Sequence, residues 1–132
     1  MKGIPIVVLS LVGAVLLMAP AGEMESAAVG EPRGQVGLME EAERLYGERS
    51  YSRAHEVYGR IDPGELSPED ARWVAFRLAD TQWRSEAATK SVDSTRLDEA
   101  RQQLEALIRD IRRVEDRDRV WAEVEESLAD FW

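Results

Sequence analysis

His55 is the only histidine of the chain and cysteine is absent, so the side chains most suited to act as base, nucleophile or zinc ligand near neutral pH reduce to one imidazole. Flanked by Ala54 and Glu56, it falls on the polar edge of an amphipathic stretch, and no serine stands at a motif spacing from it. It reads as a solvated helix residue rather than a base. Two carboxylate clusters, Glu40, Glu41 and Glu43 in one place and Glu123, Glu125, Glu126 and Asp130 in another, carry the oxygen chemistry of a hard-cation site. Neither has calcium-loop spacing or a glycine turn, and acids early in a helix are accounted for by its positive end. Glycine-rich phosphate loops and nucleophile elbows are missing too. The expectation is a protein with no catalytic residue, no metal and no cofactor.

Binding chemistry is better represented. Arg77, Asp80 and Arg84 share one helical edge beside Trp83, and arginines so placed can grip a carboxylate or an acidic tail through paired hydrogen bonds. The plainer alternative, preferred here, is that they pair internally with Asp80 or nearby glutamates, which contributes little if exposed. Trp73, Trp83 and Trp121 lie in or beside apolar stripes and read as core. Phe131 and Trp132 end the sequence on an apolar stripe whose partner helix is not evident. That stripe either folds back on the other helices, marks a surface for another subunit, or belongs to something longer.

The elements that must position these groups follow from periodicity. Residues 4–19 are an apolar run behind Lys2 and ahead of Ala19-Pro20-Ala21, the pattern of a secretory signal peptide cleaved after Ala21. The run is short of a bilayer span and contains Pro5, which disfavours a retained anchor. Cleavage removes one base and no acid, moving the net charge from −9 to −10. Such an acidic field repels nucleic acid and anionic lipid, so neither nucleic acid nor, after cleavage, membrane is an expected partner. The expected location is periplasmic or secreted.

Residues 22–37, with four glycines and no apolar period, read as a flexible leader. From residue 38 to 132 the pattern is helical, and five helices are expected. Leu38, Met39, Ala42, Leu45 and Tyr46 form the first stripe. After a break at Gly47 to Ser50, Tyr51, Ala54, Val57, Tyr58 and Ile61 form the second, which stops at Pro63-Gly64. Ser67-Pro68-Glu69-Asp70 is a strong start for the third helix, with Ser67 as cap. Ser85 to Ser94 reads as a loop. Thr95-Arg96-Leu97-Asp98 repeats the capping logic for a fourth helix through Ile111. The stripe of Val120, Trp121, Val124, Leu128 and Phe131 is out of phase with the fourth helix, so a break near Asp116 and a fifth helix follow. No segment alternates with period two, and the fold class is all-α.

Read as pairs, these helices resemble the tetratricopeptide repeat. Tyr51-x-x-Ala54-x-x-x-Tyr58-x-x-Ile61 is similar to the family's second helix, with Ala42 and Leu45 at its small and large first-helix sites. Leu97-x-x-Ala100-x-x-x-Leu104-x-x-Leu107 resembles the same element again, and Trp121-x-x-Val124-x-x-x-Leu128 an opening helix of a third unit. The alanines would let paired backbones approach closely. The first helix of the second unit offers no obvious small residue, and the loop before the fourth helix exceeds the family's tight turn. Arg77 to Arg84 and Asp118 to Trp121 also resemble the helical leader of large exported bacterial proteins with alpha-2-macroglobulin-type domains. The tetratricopeptide resemblance implies antiparallel hairpins stacked as a short array that binds a protein or peptide in the cell envelope, with self-association or continuation through the open C-terminal helix. The second resemblance implies a structural leader or fragment of a larger secreted protein.

Overall fold

The computed structural model describes residues 34–132; the expected signal, 1–21, and leader residues 22–33 lie outside them. Five α-helices carry the fold: α1 (Gly34–Gly47), α2 (Tyr51–Tyr58), α3 (Pro68–Ala87), α4 (Ser94–Ile108) and α5 (Arg119–Phe131). Two 3-10 turns, Pro63–Glu65 and Val114–Asp116, lie between α2 and α3 and between α4 and α5. No strand occurs among the described residues, and none of their helices is long and apolar enough to cross a membrane. The fold is all-α.

Local chemistry explains most boundaries. Ser67 Oγ accepts from the amide of Asp70 at 3.1 Å and donates to its carboxylate at 2.9 Å, while Pro68 opens α3. Asp118 caps α5 by accepting from the Trp121 amide at 2.8 Å, which is why the chain breaks after Asp116 although neither Gly nor Pro stands there.

Several boundaries differ from expectation. α3 runs to Ala87 and α4 starts at Ser94, so the ends of the loop expected from Ser85 to Ser94 are helical. α1 begins at Gly34, so the last four residues assigned to the leader are helical; Gln35 is tied to the chain beyond α2 by accepting from the Asp62 amide. α4 is capped by Asp93, which accepts from the amides of Thr95 and Arg96, while Asp98 turns instead to Arg101 and Gln102. Ile111 lies beyond α4, which ends at Ile108. In the corner between α1 and α2 the left-handed residue is Arg49, at φ 60°, rather than Gly47, which stays helical. Ser50 N donates to Leu45 O and Arg49 N to Tyr46 O, closing the end of α1.

Each helix packs on the next along the chain, and α5 also returns to α3. The last stripe folds back on α3 and α4 through buried Val120 and Val124, while Trp132 at its end stays exposed. One alanine per helix is fully buried in α1 to α4: Ala42 and Ala54 in one cluster, Ala79 and Ala100 in the other. With no side chain beyond Cβ, they let the paired axes close up. Ala79 is the small residue that could not be placed in the third helix from the pattern alone. Leu38, Leu45, Val57, Tyr58, Ile61 and Val74 complete the first cluster, and Trp73, Phe76, Trp83, Leu104, Val120 and Val124 the second. Met39 packs against both.

Candidate functional site

Two carboxylates organise the polar interior. Glu43 of α1 accepts from the Tyr58 hydroxyl at 2.6 Å and the Trp73 indole at 2.7 Å, and Arg77 of α3 grips both its oxygens, at 3.2 and 3.0 Å. Burial alone would raise the Glu43 carboxyl, but these donors and the Arg77 charge outweigh it and hold the group below the ordinary carboxylate value. One turn further along α3, Asp80 is wholly buried. It accepts from Tyr46 of α1 at 2.6 Å, from Arg84 Nε at 3.0 Å and from Ser127 of α5. Ser127 in turn accepts from the Trp83 indole at 2.9 Å, and Arg84 reaches Asp130 at 2.9 Å. Burial, then the bond to Asp80, pushes the Tyr46 phenol far above its ordinary value, so it stays a donor.

The edge of Arg77, Asp80 and Arg84 is therefore an inward seam joining α1, α3 and α5, and the internal pairing preferred from the sequence is the arrangement present. Arg77 is 7% exposed and Trp83 9%, which leaves them little surface to offer a ligand. Phe131 packs edge-on against Trp83, with ring centroids 5.6 Å apart. Trp132, 85% exposed, is the one residue of the candidate set with a fully open face. Trp121 is half-buried, with Arg117 over its ring.

His55 departs from the solvated position expected of it. It is half-buried between α2 and α3, its Nδ1 3.1 Å from the Leu78 carbonyl and 3.0 Å from Thr81 Oγ1. Burial pulls the imidazole below its ordinary value despite the carbonyl, so it is neutral at pH 7, donates from Nδ1 and ties two helices together. Among the described residues no three histidine, aspartate or glutamate side chains converge as metal ligands, and no buried side-chain nitrogen or oxygen lacks a partner.

The seam opens at one end into a cleft of about 680 Å³, a size suited to a ligand or a peptide segment. Its walls come from three helices: Met39 and Glu43 of α1, the first turns of α3 with Trp73, and Arg119 and Val120 of α5. Periodicity did not reveal it, because its residues come from helices far apart in the chain. Arg72 pairs with Asp118 at 2.9 Å on one wall and donates to the Leu107 carbonyl at 2.7 Å. Arg119 lies over the Trp73 ring, 3.8 Å from its centroid, and Arg77 also stacks on that ring, at 4.5 Å. Arg77 stacks further on Tyr46 at 3.6 Å. Aromatic and guanidinium planes thus alternate from Tyr46 through Arg77 and Trp73 to Arg119.

Comparisons with protein-family models, with curated proteins and with solved structures give no match.

Proposed function

We propose that the protein is a non-catalytic interaction module, a tetratricopeptide-like adaptor or scaffold that works in the cell envelope after export. The observation that carries this reading is the cleft between α1, α3 and α5, whose walls are held in register by the Glu43 and Asp80 seam. A surface ordered in advance by the molecule's own packing leaves only the partner to be ordered on binding. Of the ionisable groups that line the cleft, Glu43 is engaged with Arg77 behind it and Arg72 with Asp118, an arrangement suited to fixing a surface rather than to moving protons. The buried alanine pairs and the succession of helix contacts along the chain support the repeat-like architecture. Export rests on the sequence of residues 1–21.

A photo-crosslinking residue at exposed Glu69, on the rim of the cleft, tests the reading against one at exposed Gln103 of α4. The expected outcome is a discrete adduct in the cell envelope from position 69 and none from position 103. Equal labelling from both positions, or none from 69, would overturn it.

A second reading draws on Trp132. An indole this exposed beside Phe131 is suited to being covered by a further domain, as in a structural leader of a larger secreted protein or in self-association. Concentration-independent light scattering and a water-exposed Trp132 emission in the intact secreted protein would remove that reading.

A further inference from the structure

Arg119 is the end of the stack that begins at Tyr46, and it differs from the other cations of the cleft in how it is used. Arg72 has Asp118, and Arg77 has Glu43. Arg119 is exposed, and no carboxylate of the described residues lies within ion-pair distance of it. Its guanidinium nevertheless has a seat. One face rests on Trp73, which is 9% exposed and anchored by its indole bond to Glu43. A planar guanidinium in this position offers two things at right angles: a fork of N–H donors in its plane, which matches a carboxylate, and an open outer face, which matches an aromatic ring. The apolar groups beside it in the cleft are Met39, Pro68 and Val120.

We infer that Arg119 is the recognition centre of the cleft, and that it takes a peptide segment in which one acidic side chain stands next to an aromatic one. The inference rests on the interaction-module reading and names the partner chemistry. Two neighbouring side chains supply the perpendicular pair, the carboxylate in the fork and the ring on the outer face. The charge balance narrows the ligand further. Glu69 and Asp70 are exposed on the same rim, and the chain as a whole is at −9. A second or third acid on the peptide would meet these charges rather than a cation. The site therefore selects a single acid within an otherwise neutral segment, not an acidic tail.

The test is a calorimetric titration of the purified chain with the blocked peptide acetyl-Gly-Ser-Glu-Phe-Ser-Gly-amide. Binding is expected, weakened about tenfold or more when Gln replaces the peptide's Glu or Ala its Phe. Arg119→Ala should abolish it, and Arg119→Lys should recover only part, because an ammonium lacks the planar fork. Arg119 is a surface residue, and an unchanged far-ultraviolet circular dichroism spectrum shows that each variant still folds. A run of three glutamates before the Phe should bind less well than one. Tighter binding of that acidic run, of a Lys-Phe peptide, or of a Gln-Phe peptide ending in a free carboxylate would overturn the inference. So would equal binding by Arg119→Ala or no binding of the Glu-Phe peptide. If the adduct from position 69 survives Arg119→Ala, the interaction module stands and this assignment of its ligand falls.

Discussion

Asp80 joins three helices through one carboxylate. Tyr46 comes from α1, Arg84 from its own helix and Ser127 from α5; without the carboxylate the two hydroxyls lose their acceptor, and Arg84 keeps only Asp130. Asp80→Ala should therefore cost about 3 to 5 kcal/mol in urea unfolding, well above the cost of truncating a surface acid, because it strands two hydroxyls and removes one of the two carboxylates that hold a partly buried guanidinium. Glu43 makes a pH prediction. Its folded carboxyl sits below the ordinary value of 4.5, so the unfolded chain binds the proton first as pH falls. The stability it contributes is complete above 4.5 and is lost as pH drops through the lower folded value. Glu43→Gln should thus be less stable than the parent at pH 7 but lose less between about pH 5 and pH 3, as read from urea midpoints across that range. Little of this was legible in the sequence. A helical wheel put Arg77, Asp80 and Arg84 together correctly, but their partners Glu43, Tyr46, Ser127 and Asp130 stand 34 to 47 positions away, and a wheel sees one helix.

Helix starts were readable where the signal was local and unopposed. Ser67 bonds an amide three residues on, and a short sequence window holds both partners; Asp118 bonds in the same way, but there the break near Asp116 came from the phase of the apolar stripes and the cap went unread. Asp93 was hidden by a competing imitation, since Thr95 and Asp98 have the capping-box spacing while the chain caps two residues earlier. The α1–α2 corner misled in a different way. Gly47 looked like the break, yet it is helical, and adding a Cβ there meets nothing within 4 Å. The conformation that favours glycine is taken by Arg49, where a Cβ in left-handed backbone carries a cost of about 1 kcal/mol. Arg49→Gly should raise the unfolding free energy by about 0.5 to 1 kcal/mol in thermal or urea melts. Removing that Cβ would relieve the strain without touching the carbonyls of Leu45 and Tyr46 that the corner amides use.

The described residues form two apolar clusters rather than one, the first around α1 and α2 and the second around α3, α4 and α5. What joins them is Met39, the contact of α2 with α3, and the polar seam from α1 to α3. The all-α class and the five helices could be read from period alone, because each stripe is amphipathic by itself. The order of packing and the cleft could not, because they depend on which stripes meet. Weakening the seam's two ties from α1 to α3 with Tyr46→Phe and Glu43→Gln, and the tie from α2 with His55→Ala, should let α1 and α2 exchange their amide hydrogens further ahead of α4 than in the parent; mass spectrometry of the exchanged chain reads the difference. The stack of Tyr46, Arg77, Trp73 and Arg119 has a further consequence. Ion pairs between exposed side chains, such as Arg44 with Glu48, fade as dissolved salt screens them. The Arg77 guanidinium, 3.6 Å from the centroid of the Tyr46 ring, 4.5 Å from that of Trp73 and 7% exposed, leaves little room for counterions to intervene. The brace between α1 and α3 should hold in brine as it does in dilute buffer.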